Sequence, residues 1–113
     1  MTDITSPDKS KRIAALNDNL RRTFLGGKVM LTFGVGALDD ELKAKVLTAV
    51  RGFTNFNSDN DPYGEHDCAT FQVEGGTFMF KVDYFDRKSM DCGSEDPTDP
   101  NMTMLTIMHA SDY

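Results

Sequence analysis

Residues 69–84 carry the pattern that most restricts how this chain can fold. Ala69, Phe71 and Val73 alternate with polar residues, Glu74-Gly75-Gly76 interrupts, and Phe78, Phe80, Val82 and Tyr84 alternate again. Period-two repetition on both sides of a glycine-rich break predicts a β-hairpin with one apolar, aromatic face. That face has to be covered, and the first half of the chain supplies the cover. From Lys9 to Phe24 the apolar residues Ile13, Leu16, Leu20 and Phe24 recur at helical spacing, and Lys9, Lys11, Arg12, Arg21 and Arg22 occupy the rest of the cylinder. Gly26-Gly27 ends that helix. A second helix is expected from about Asp39 to Gly52, with an acidic first turn and an apolar stripe of Leu42, Val46, Ala49, Val50 and Phe53.

Two further strands are expected. Val29 to Val35 alternates, with Val29, Leu31, Phe33 and Val35 on one face, and Gly36 breaks the run. Met102 to His109 puts Leu105 and Ile107 on one face and Met102, Met104, Thr106 and Met108 on the other. Long polar loops cover residues 54–67 and 86–101; loops of such length are uncommon in compact domains and are often functional. The order α-β-α-β-β-β points to an α+β fold, two helices packed on one face of a mostly antiparallel four-stranded sheet. Residues 1–8 read as a flexible leader and 9–113 as a single domain.

Composition narrows the setting. The 113 residues are 39% hydrophobic and include eight Phe, enough for one real core. No apolar run approaches the roughly 20 residues that span a bilayer. The N-terminus is polar and lacks a signal-peptide core, and Cys68 and Cys92 read as reduced thiols, so a cytoplasmic location is expected, with no membrane association. The net charge of −6 is unevenly spread. Residues 1–56 carry nine Lys/Arg against six Asp/Glu, whereas residues 57–100 carry three against eleven. A block this acidic repels nucleic acid and suits a cationic partner.

The chemistry would have to sit in the acidic block. Asp59-Asn60-Asp61-Pro62-Tyr63-Gly64-Glu65-His66-Asp67 packs four carboxylates and a histidine into nine residues. Asp59, Asp61, Gly64, Glu65 and Asp67 match part of an EF-hand loop, but Tyr63 and Thr70 stand where oxygen ligands are needed. An Asx-rich turn bonding its own backbone explains the same residues. His66, Asp67, Asp83 and Glu95 could furnish metal ligands or an acid–base pair. Asp83, in an aromatic strand, is a candidate for a raised pKa, or else a partner for Lys81 or Arg87. The spacing of His66, Cys68, Cys92 and His109 matches no zinc module, so no metal and no other cofactor is assigned. No nucleophile elbow or phosphate loop is present. The basic residues of the first helix are more simply a solvated face than a nucleic-acid site.

Several segments together resemble one family: Arg12–Asp18, Asn60–Asp67, Lys81–Asp86, Gly93–Pro97 and Leu105–Met108. They are similar to the domain-of-unknown-function family numbered 3768, found largely in alphaproteobacteria and often on plasmids. The resemblance runs from about residue 11 to Tyr113. It implies a small cytoplasmic protein serving a mobile element and brings no assigned activity.

The leading expectation is a non-enzymatic binding or inhibitory protein. Asp59, Asp61, Tyr63, Glu65, Asp67, Glu95, Asp96 and Asp99 would engage a cationic partner, such as a basic or nucleic-acid-binding protein. The alternatives are a small metal-dependent enzyme using the His66 cluster, and acidic loops that only fold themselves.

Overall fold

The structure, a computed structural model, describes residues 7–84 and 103–113. Along the chain run α1 (Pro7–Thr23), β1 (Lys28–Leu31), α2 (Phe33–Gly36), α3 (Asp40–Gly52), β2 (Cys68–Val73), β3 (Gly76–Tyr84) and β4 (Thr103–His109). A short 3₁₀ turn, Ala110–Asp112, follows β4. The class is α+β, but with three helices where two were expected. The sheet has the order β1-β4-β3-β2. It is mixed where a mostly antiparallel one was expected, because β1 runs parallel to β4 while β2–β3 and β3–β4 are antiparallel. The hairpin takes one side of β4, and β1 reaches the other side pointing the same way as β4.

Local chemistry sets each element. The side chain of Asp39 accepts the Leu42 amide at 2.8 Å and caps α3. Glu74 and Gly75 form the two-residue hairpin turn with φ +48° and +84°, the left-handed pair that matches the twist of the flanking strands. Beyond Leu31 the expected strand stops. The Thr32 amide makes a last bond to the Ile107 carbonyl, and Phe33–Gly36 then winds into one helical turn. That changes the period, so Val35 is buried while Phe33 is 90% exposed. Gly34 and Gly36, which give a strand no side chain to pack, sit where it fails.

The core lies between the helices and one face of the sheet. Leu20, Val46 and Val50 pack with Ala69, Phe78, Phe80, Val82, Leu105 and Ile107. These are the inward residues expected of the hairpin, of α3 and of β4. On α1 the buried stripe is wider than the apolar pattern. Ile13, Ala14 and Leu20 are joined by Asn17 and Arg21, each 1% exposed. Arg21 is therefore not part of a solvated basic face. Residues 13, 17 and 21 lie in one i, i+4 row, so a residue of that row faces the core whatever its polarity.

Candidate functional site

The interior polar residues of α1 meet the loop of residues 53–67 and organise it. Arg21 Nη1 donates to Asp18 Oδ1 at 2.8 Å and Nη2 to the Phe53 carbonyl at 2.8 Å. Its guanidinium carbon lies 5.2 Å from the Phe56 ring centroid and 5.4 Å from that of Phe80. A buried guanidinium is tolerable only with such partners. Asn17 Nδ2 donates to the Glu65 carbonyl at 2.9 Å and to the Tyr84 hydroxyl oxygen at 2.7 Å, joining helix, loop and sheet.

His66 is the centre of the loop. Its backbone is left-handed, at φ +54°. The ring stacks on Phe56 with centroids 4.0 Å apart and planes 3° from parallel. Nδ1 lies 3.0 and 3.1 Å from the two Asp18 oxygens, and Nε2 lies 3.6 Å from Asp61 Oδ2. The imidazole thus stands between a carboxylate of α1 and one of its own loop. Asp61 is buried, and its Oδ1 accepts the amides of Glu65 and His66, both at 3.1 Å. Asn57 and Asn60 bond the backbone in the same way: Asn57 Oδ1 takes the amides of Asp59 and Asn60, and Asn60 Oδ1 takes that of Asn57. These side-chain-to-backbone bonds make up an Asx-rich turn.

Other candidates face outward. Asp59 and Tyr63 are exposed, and Glu65 and Asp67 are partly so. Burial, helped by repulsion from Asp67 and Asp61, raises the Glu65 carboxyl above its ordinary pKa. Burial also raises Asp67, with further repulsion from Asp61 and Asp83. Tyr84 is pushed up to about 12 by burial, with Asp67, Glu65 and Asp83 adding to it against the Asn17 hydrogen bond. Asp83 sits on β3 with its Oδ2 2.8 Å from Lys81 Nζ, on the sheet face away from Phe80 and Val82. Cys68 lies at the start of β2, its thiol raised by burial and by Asp67, Asp61 and Asp83, which makes it a dull nucleophile.

The His66 imidazole turns toward Asp18, while Asp67 lies within electrostatic reach of both His66 and Asp83. Among the described residues no three His, Cys, Asp or Glu side chains could hold one metal ion. His109 is at the far end of β4, with its ring 4.8 Å from Phe78, while Cys68 pairs three positions away with Lys81. Cys92, Glu95, Asp96 and Asp99 lie outside the described residues, as does the whole loop of 86–101.

Two recesses open beside these groups. One of about 100 Å³ is lined by Asp18, Arg21, Arg22, Phe53, Thr54, Phe56 and His66. A wider, shallower one of about 430 Å³ lies between the start of α1, at Ser10 and Lys11, and the loop at Ser58 and 61–64. The apolar pattern of α1 did not single out Asn17, Asp18 and Arg21. The available signal was the four-residue spacing of Asn17 and Arg21 from Ile13, together with the i, i+3 pairing of Asp18 with Arg21.

The family model described as "Protein of unknown function (DUF3768)" matches residues 31–112. No curated protein and no solved structure matches the chain. Among the described residues no helix is long and apolar enough to cross a membrane.

Proposed function

The chain belongs to the DUF3768 family of proteins of unknown function, and we propose that it is a non-enzymatic binding protein that engages a cationic partner through its acidic loop. The observation that carries this reading is the state of Glu65 and Asp67. Both are partly exposed, and both are held above their ordinary pKa by burial and by neighbouring carboxylates. Their repulsion is only partly offset inside the chain, by Lys9 for Glu65 and His66 for Asp67. An external cation would relieve it, so part of the repulsion becomes binding free energy.

The loop divides its polar residues between two jobs. Asn57, Asn60 and Asp61 fold the loop, while Asp59, Tyr63, Glu65 and Asp67 are left to a partner. Tyr63, 78% exposed among these carboxylates, is an aromatic anchor of the kind interfaces use. Glu95, Asp96 and Asp99, outside the described residues, are added to this reading for their charge alone. A basic or nucleic-acid-binding protein is the partner that such a surface fits, with the carboxylates standing in for phosphates.

The test is a salt series with purified basic proteins and a Lys/Arg-rich peptide. Binding should weaken steeply with salt and fall at least about tenfold in the Glu65→Lys/Asp67→Lys variant. Unchanged binding in that variant would sink the reading. A parallel titration of thermal stability with divalent cations separates it from the metal-enzyme alternative, which requires stabilisation that His66→Ala abolishes.

A further inference from the structure

We propose that the smaller recess, between the second half of α1 and residues 53–56, is a binding site for a phosphate-class oxyanion. This site is separate from the outward carboxylates of the acidic loop, although Phe53, Thr54, Phe56 and His66 of that loop line it.

Size and chemistry both select the ligand. About 100 Å³ is room for a few water-sized groups, which suits a tetrahedral oxyanion and excludes a nucleotide or a peptide. Two guanidiniums form the polar wall. Arg21 is 1% exposed, and its Nε has no hydrogen-bond partner among the described residues. A guanidinium can only donate, so the group that completes it must be an acceptor. Leaving such a donor unmet costs about 1–3 kcal/mol, so an acceptor brought close to this guanidinium is favoured. Arg22 stands at the mouth, its side chain 58% exposed and only loosely paired, with Nη2 3.9 Å from Asp18 Oδ2. Thr54, exposed and lining the recess, adds a hydroxyl.

One carboxylate faces the recess, and its charge is already spent. Asp18 Oδ1 takes Arg21 Nη1, and both Asp18 oxygens lie against His66 Nδ1. With Asp18 set against Arg21, Arg22 leaves the wall cationic. Arg51 Nε donates to the Arg22 carbonyl at 3.1 Å and so offsets the negative C-terminal end of α1. Phe53 and Phe56 supply the apolar part of the wall. The anion would rest on Arg22 and Thr54, above the buried charge of Arg21.

Free phosphate and the terminal phosphoryl group of a small ester share this chemistry. The experiment therefore uses inorganic phosphate in one arm and glycerol phosphate in the other. Nitrogen-edited NMR would follow the Arg21 Nε–H and His66 ring signals of the full chain, with sodium chloride at matched ionic strength as control. The expected result is a saturable shift of both signals in at least one arm. Arg22→Gln, at an exposed position that leaves the fold intact, should weaken binding about tenfold. Thr54→Val should weaken it less. The proposal is overturned if neither arm moves the Arg21 signal, if sodium chloride moves it equally, or if Arg22→Gln binds as the parent does. A folded Arg22→Gln melting curve keeps the last outcome decisive.

Discussion

The imidazole of His66 faces the carboxylate of Asp18, Nδ1 3.0 Å from Oδ1, across 48 residues of chain. This contact fastens the loop to α1, and it rests on a second pair, because Asp18 also holds the buried Arg21. Asp18→Ala should therefore cost far more than the loss of one surface ion pair. Leaving Arg21 unpaired in the interior is worth about 3 kcal/mol or more, to be read from urea unfolding. A loss below about 1 kcal/mol would mean that Arg21 is not dependent on Asp18.

His66 contributes a contact and also occupies an unfavourable backbone region at φ +54°. His66→Ala removes the ring contacts and keeps the strain. His66→Gly removes both and adds chain entropy to the unfolded state. We expect each to destabilise, with the glycine variant less affected by up to about 1 kcal/mol. Denaturant melts of the two variants side by side check this, and an alanine variant more stable than the glycine one would contradict it.

Glu65 and Asp67 predict a pH dependence of definite sign. Their folded pKa values lie above the ordinary 4.5 and 3.8, so the folded state binds their protons more readily than the unfolded chain does. Their contribution to stability is present below those ordinary values and is lost as pH rises through the raised folded ones. Asp67→Asn should therefore raise the melting temperature near neutral pH, and the gain should shrink as pH falls toward 4. Thermal melts across that range decide the matter; a gain that grows on acidification has the wrong sign.

Tyr84 gives a test at the alkaline end. Its phenol is pushed from 10.0 up to about 12, so the neutral form is favoured in the fold. The stability it contributes is present below pH 10 and is lost as pH rises through about 12. Tyrosinate absorbance should show one late-titrating phenol in the folded protein, and Tyr84→Phe should remove it. Asn17→Ala, which strips a donor from that hydroxyl and from the Glu65 carbonyl, should cost about 2 kcal/mol in denaturant melts.

The hairpin turn offers a change of the opposite kind. Glu74 holds φ +48°, where asparagine is better tolerated, and its carboxylate bonds Lys45 on α3. Glu74→Asn relieves the backbone but breaks that exposed pair, so a net gain of about 0.5 kcal/mol is expected. With 2 M salt already screening the pair, the gain over the parent should be larger, and melts at low and high salt measure both.

Much of the fold was legible because apolar periodicity reports local geometry directly. The alternation in residues 69–84 placed Ala69, Phe80 and Val82 in the core, and the spacing in α3 placed Val46 and Val50 there. The pattern misled at Phe33, where a strand-like alternation continued after the ladder with β4 had ended. It also missed Arg21, since a charged residue reads as solvent-facing until its partners are known. The loop was legible as an Asx-rich turn from its Asn and Asp content, but the direction of each side chain was not. Asp61 turns in to two amides while Asp59, two residues earlier, stays exposed.

The sequence by itself determined the class of fold, the hairpin and its turn, and most of the apolar core. Each depends on neighbours two to four positions apart, and such spacing is written into the chain. Only the tertiary structure decided that β1 runs parallel to β4 and that His66 faces Asp18 rather than Asp83. It also decided that two arginines and a threonine ring one small recess. Those relationships join residues tens of positions apart, and they are set by how α1 lies across the loop, which no local pattern encodes.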